Sequence, residues 1–148
     1  MRTKIVVDTS VIIEYIDKAG PWHRYAKAIF NEIIRGRAVA YIPTIVLSEV
    51  LYVAKRIYER TRAPKPKKKA IRLVKWLYYH PNVRIIGRKF RMIVLAGLIK
   101  AKYRLAISDC YVLALAKLLK AKPIFRKKRK RNAQACGYIK RTLWSHIS

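Results

Sequence analysis

The sequence predicts an α/β fold with a short, mostly parallel central sheet and helices on both faces, in three α/β/α layers. Short apolar runs typical of buried strands alternate with longer segments of helical periodicity, which is the pattern of a parallel sheet. The chain has 148 residues and is 53% hydrophobic, which is enough to build one substantial core. No internal repeat is visible in the sequence.

The strands and helices follow from these apolar runs and from the residues that end them. We expect strands at residues 4–8, 38–42, 83–86 and 123–125. We expect helices at residues 10–16, 22–36, 44–60, 70–79, 90–103 and 108–120. Gly36 is a suitable helix stop, and Pro43 precedes a helix where its missing N–H costs nothing. Residues 61–69 contain two prolines and a cluster of cations, so we expect an exposed loop there.

Positive charge is concentrated in the second part of the chain. Thirty-five Lys and Arg against seven Asp and Glu give a net charge of +28. Residues 1–59 hold nine basic and six acidic side chains, whereas residues 60–148 hold twenty-six and one. Such a surface attracts polyanions, because the phosphates that it neutralises release condensed counterions. The apolar runs are too short for a membrane span or a signal peptide, so we expect a cytoplasmic protein with no membrane partner.

The distribution of this charge favours RNA as the partner. It lies in loops and a tail as well as on helices, unlike the charge of a basic amphipathic membrane helix, and no DNA-reading motif is present. We expect residues 1–125 to form the domain and residues 126–148 to form a basic extension that packs on it or projects from it. The first group of predicted RNA contacts is Arg62, Lys65, Lys67, Lys68 and Lys69. The second group is Arg126, Lys127, Lys128, Arg129, Lys130 and Arg131, followed by Lys140 and Arg141 in the tail.

Three carboxylates stand where they could share one divalent cation. Asp8 ends the first strand, at the sheet edge where ligands gather in parallel α/β folds. Glu49 falls within an apolar stripe of its helix, where an unpaired buried carboxylate is costly. Asp109 is the only acid after Glu59, and it stands at the start of a helix. Mg²⁺ and Mn²⁺ prefer oxygen ligands of this kind.

Each of these acids also has a structural explanation. Asp8 can cap the helix that follows it, and the helix dipole favours Asp109 at the start of its helix. Glu49 can pair with one of the many cations. The residues alone therefore leave both interpretations open.

Three segments resemble the motifs of PIN domains, a family that includes the VapC toxins of toxin–antitoxin pairs. Residues 5–12 (IVVDTSVI) resemble the opening strand, residues 43–50 (PTIVLSEV) the second motif, and residues 105–116 (LAISDCYVLALA) the third. Order and spacing agree from residue 1 to about 125. The resemblance implies a PIN fold in which Asp8, Glu49 and Asp109 are the metal-binding and catalytic acids. In active members these acids hold Mg²⁺ or Mn²⁺, and a metal-activated water attacks an RNA phosphodiester.

One segment departs from the family pattern. The last strand is usually followed by Thr and one or more acids that complete the metal site, but residues 126–131 read RKKRKR. The fourth acid is absent, and cations close to the site would oppose metal binding by repulsion.

Two functions are compatible with these observations. The charge favours an RNA-binding PIN-fold protein, ribosomal or ribosome-associated, that binds rRNA and has lost or impaired nuclease activity. The alternative is a VapC-type, Mg²⁺-dependent endoribonuclease toxin, with an antitoxin partner and possible homodimers. The run at 126–131 favours the first hypothesis, because a toxin should use that loop for metal ligation.

Overall fold

The computed structural model describes residues 2–126. The predicted basic extension beyond Arg126 lies outside these residues. So do the predicted RNA contacts at 127–131 and at Lys140 and Arg141.

In the described part of the chain, four parallel strands form one sheet, in the order β3-β2-β1-β4. Their bounds are β1 Thr3–Val7, β2 Ala38–Pro43, β3 Val83–Ile86 and β4 Lys122–Ile124. The apolar runs of β1 and β2 are buried because both strands have a neighbour on each side and helices above and below. Within residues 2–126, β3 and β4 are the edge strands.

The residues that the structure describes include six helices, which connect and cover the strands. Their bounds are α1 Thr9–Ile16, α2 His23–Ile34, α3 Thr44–Arg60, α4 Pro66–Tyr79, α5 Phe90–Tyr103 and α6 Ile107–Leu119. The predicted α/β fold is confirmed, and the element bounds differ from the expected ones by one or two residues in most cases. Gly36, with φ of +76°, follows α2 as the expected stop. No helix within residues 2–126 is long and apolar enough to cross a membrane.

The predicted loop at 61–69 is wrong in its second half, because α4 already begins at Pro66. Proline is well suited to a first helical position, where its fixed φ matches the helix and its missing N–H is not needed. Lys65 precedes it in the left-handed region, with φ of +50°. Lys67, Lys68 and Lys69 therefore lie on an exposed helical turn instead of in a loop.

Candidate active site at the carboxyl edge of the sheet

Asp8 lies directly after β1, at the carboxyl edge of the sheet. It is the N-cap of α1, and only 3% of its surface is exposed. Its Oδ2 accepts hydrogen bonds from the Ser10 hydroxyl at 2.7 Å and from the Ser10 backbone N–H at 3.2 Å. The predicted capping role is therefore confirmed, but it uses only one of the two carboxylate oxygens.

The second oxygen of Asp8 is buried and has no hydrogen-bond partner within residues 2–126. The neighbouring Thr9 hydroxyl is in the same situation. Burial, and then the negative charge of Asp109, raise the pKa of Asp8 from 3.8 to about 6. A buried polar atom without a partner is rare in native proteins and often marks a site for an ion or a water molecule. Oδ1 is thus available to a ligand that can compensate its charge.

Asp109 is the acid whose negative charge contributes to the raised pKa of Asp8. It lies in the first turn of α6, half-buried, where the positive end of the helix dipole stabilises a carboxylate. Its influence on the pKa of Asp8 shows that the two carboxyl groups are close in space although 101 positions separate them in sequence. The fold therefore brings together two of the three predicted metal ligands.

Glu49 lies on α3, which packs against α6. The apolar stripe predicts a buried face, but Glu49 is only half-buried, as are Val53 and Ile57. No group of three His, Cys, Asp or Glu side chains within residues 2–126 is arranged to hold a metal ion. The shared three-acid cluster is therefore not assembled in this structure, and only the Asp8–Asp109 pair is evident.

The remaining four acids of the chain form ion pairs with cations. Glu14 pairs with Arg126, Asp17 with Arg60, Glu32 with Arg37, and Glu59 with Lys55. The seven acids thus comprise four that form ion pairs and the three of the predicted site. No ion pair to Glu49, the structural explanation considered above, is formed within the described part of the chain.

Arg126 and Glu14 form a pair that the sequence did not predict. Glu14 is buried on α1, accepts the Trp22 backbone N–H, and pairs with the Arg126 guanidinium at 3.0 Å. The Arg126 backbone N–H donates to the Ser10 hydroxyl, which itself donates to Asp8. The first cation of the 126–131 run is therefore neutralised by Glu14, so its expected repulsion on the acid pair is weakened. The signal in the sequence was a lone carboxylate inside the apolar run at 11–16.

The first group of predicted RNA contacts is exposed, as expected of a binding surface. Arg62, Lys65 and the three lysines of α4 lie at the turn between α3 and α4. Since α3 begins at the carboxyl edge and has 17 residues, a rise of about 1.5 Å per residue puts this turn roughly 25 Å away. The cluster can anchor RNA but does not belong to the acid site.

Comparison with known proteins agrees with this geometry. The family model described as PIN domain matches residues 5–131, most of the chain. The chain belongs to the PIN domain family. No curated protein matches it.

Solved structures similar to this PIN domain include toxins and toxin–antitoxin complexes. VapC20 of Mycobacterium tuberculosis, described as a Sarcin-Ricin loop cleaving toxin, is 15% identical with a TM-score of 0.63, over 79% of this chain and 84% of that one. A toxin–antitoxin complex from Klebsiella pneumoniae is 20% identical with a TM-score of 0.58, over 87% and 90%. VapBC2 from Rickettsia felis, bound to a DNA fragment from its promoter, is 12% identical with a TM-score of 0.61, over 89% and 92%. At these identities the likeness establishes the fold.

Proposed function

We propose that this PIN domain is a Mg²⁺- or Mn²⁺-dependent endoribonuclease of the VapC type. The main support is Asp8, whose buried Oδ1 has no hydrogen-bond partner within residues 2–126 and whose carboxyl group lies close to Asp109. Burial, together with the charge of Asp109, raises the pKa of Asp8 to about 6, which is costly for folding, and such groups are concentrated at functional sites. The family match and the toxin-like neighbours support this alternative better than they support a ribosomal protein.

The Asp8–Asp109 pair fits a hard divalent cation. Asp8 and Asp109 would supply carboxylate oxygens, and Glu49 on α3 is the expected third donor, although the structure does not bring it into a three-acid cluster. Ser10 holds Asp8 by binding Oδ2, which leaves Oδ1 for the cation. A bound Mg²⁺ or Mn²⁺ supplies a Lewis acid for hydrolysis of a phosphodiester. Arg126 is held by Glu14 and therefore does not compete for Asp8.

RNA is the proposed substrate because of the charge. A net +28 gives strong, salt-dependent attraction to phosphates, and the exposed cluster at the α3–α4 turn offers contacts well outside the acid site. The same charge favours a second candidate function, an RNA-binding protein of the ribosome without nuclease activity. None of the solved structures compared above is described as ribosomal.

The proposed partners of the nuclease are a second copy and an antitoxin. An uncharged stripe along α5 supports the homodimer: Phe90, Ile93, Val94 and Leu98 are exposed at helical spacing. Gly97 lies among them, and a Cβ there would meet nothing within 4 Å. An exposed apolar stripe on a cationic protein is suited to self-association, because contact between two copies of it brings no like charges together.

The test is cleavage of total RNA by the purified chain in Mg²⁺, Mn²⁺ or chelator. We expect metal-dependent cleavage that falls roughly a hundredfold or more in Asp8→Asn and Asp109→Asn. Asp17→Asn is the matched control, because Asp17 pairs with Arg60 away from the site. Absence of cleavage with both metals, together with comigration with a ribosomal subunit on a sucrose gradient after a high-salt wash, would favour the second candidate.

A further inference from the structure

A groove of about 780 Å³ lies along the free edge of the sheet. Helices α3 and α4 form one side, and the edge strand β3 forms the other. Its lining from the helices is Thr44, Leu47, Ser48, Leu51, Val74 and Tyr78. The groove is also lined by all four residues of β3, Val83–Ile86, and by Gly87, which follows the strand.

The strand lining shows that the backbone edge of β3 faces the groove. Side chains alternate between the two faces of a sheet, so a groove bordered by five consecutive residues must be bordered by their main chain. In the parallel register, Ala40 is opposite Val83, and its N–H donates to the carbonyl of Asn82. Backbone groups alternate between the two sides of a strand, so Arg84 also faces β2. The N–H and C=O of Ile85 therefore point to the free edge.

The chemistry of the groove differs from that of the rest of the molecule. Among the described residues that line it, Arg84 is the one cation, none is an acid, and most are aliphatic or aromatic. Although the chain has 35 Lys and Arg, this groove has few cations, so we do not expect it to bind the phosphate backbone of a nucleic acid. At this edge the Val83 N–H already donates to His80, its carbonyl accepts from the Arg84 side chain, and the Gly87 carbonyl accepts from Lys89. The groove therefore offers the N–H and C=O of Ile85, with apolar positions beside them, on a chain of net charge +28.

We propose that the edge of β3 binds an extended peptide segment of a protein partner, which joins the sheet as a fifth strand. Backbone pairing to Ile85 supplies register, alternate apolar side chains enter towards Leu47, Leu51 and Tyr78, and acidic residues on the other face meet the cationic surface. Open sheet edges are aggregation hazards that proteins usually cover, which is a further reason for an occupant. This inference does not depend on the proposed nuclease activity.

The decisive experiment compares two isomeric peptides. The parent is a short peptide of alternating glutamate and valine, and the isomers are N-methylated either on every valine or on every glutamate. Each isomer loses the N–H groups of one strand edge, while charge, composition and methyl count stay equal. Strand addition uses one edge, so we expect the affinities of the isomers for the full chain to differ by roughly tenfold or more. Equal affinities would refute strand addition and indicate attraction by charge alone.

Amide NMR of the labelled chain locates the contact. We expect the parent peptide to shift Leu47, Leu51 and residues 83–87, and to do so equally in Asp8→Asn. Ile85→Pro removes the free-edge N–H without removing a bond to β2, and should weaken binding, whereas Tyr79→Leu, outside the groove lining, should not. If Ile85→Pro does not fold, the comparison of the two N-methylated peptides on the native chain still tests strand addition. Shifts of the groove residues by oligouridylate instead of the peptide would contradict the proposal.

Discussion

Replacement of Asp8 by asparagine should stabilise the metal-free protein at neutral pH. Asp8 is 3% exposed, its Oδ1 lacks a partner in the described part of the chain, and Asp109 is close. Asparagine retains an oxygen for the Ser10 bonds and is a good N-cap. It also removes the buried charge and presents an N–H₂ group, which can donate to Asp109.

The magnitude follows from the pKa. A rise from 3.8 to about 6 means that the folded state disfavours the ionised form of Asp8. At about 1.4 kcal/mol for each tenfold change in proton affinity, this corresponds to roughly 3 kcal/mol. The folded state binds the proton more tightly, so the penalty is absent below pH 4, grows between pH 4 and 6, and is complete above pH 6. We therefore expect Asp8→Asn to gain up to roughly 3 kcal/mol at pH 7 and almost nothing at pH 4.

The assay is urea unfolding of both proteins between pH 4 and 8, in chelator and in Mg²⁺. In chelator, the difference in unfolding free energy should grow with pH between 4 and 6 and then remain constant. Mg²⁺ should stabilise the native chain more than the variant, because binding to the folded state adds to its stability. A variant that is equally destabilised at every pH would refute the reasoning, since it would mean that Asp8 is only a cap.

Three further predictions concern other parts of the molecule. Glu14→Gln should lower the free energy of unfolding by about 1–3 kcal/mol, because Arg126 loses its charged partner. Urea unfolding measures this difference from the native chain, and high salt should make it smaller. Leu98→Glu should convert a dimer to a monomer in analytical ultracentrifugation, whereas an unchanged mass would exclude the α5 stripe as the interface. Replacement of all three lysines at 67–69 by glutamine should reduce the slope of log affinity for RNA against log salt by roughly 2–3, measured by fluorescence anisotropy. An unchanged slope would mean that these lysines do not contact phosphates.

The elements of the sheet could be predicted because strand residues in a buried parallel sheet are apolar without interruption. The runs of β1 and β2, and the alternation with helices, leave little choice of fold. Pro66 was misinterpreted because proline ends a helix when it lies inside one but favours a helix when it begins one. A local pattern contains both possibilities, and only packing of α4 against α3 decides between them.

The candidate site was predicted only in part, for a related reason. Asp8 and Asp109 could be recognised from their places at the end of a strand and the start of a helix. The Glu14–Arg126 ion pair joins residues 112 positions apart, and a sequence with so many cations gives no indication of which one meets Glu14. The half-buried state of Glu49 likewise depends on how closely other elements pack beside α3, which periodicity alone does not specify.

The hydroxyl of Ser10 links Asp8, near the start of the domain, to Arg126, near its end. It donates its only proton to Asp8, directly after β1, and accepts the backbone N–H of Arg126, two residues after the end of β4, so one atom joins these two segments. Protonation of Asp8, or a ligand that draws on its charge, weakens the acceptor on one side of this hydroxyl and thereby changes its strength as an acceptor on the other. The hydrogen bond that holds the backbone of Arg126, the first cation of the 126–131 run, thus depends on the protonation or ligand state of Asp8.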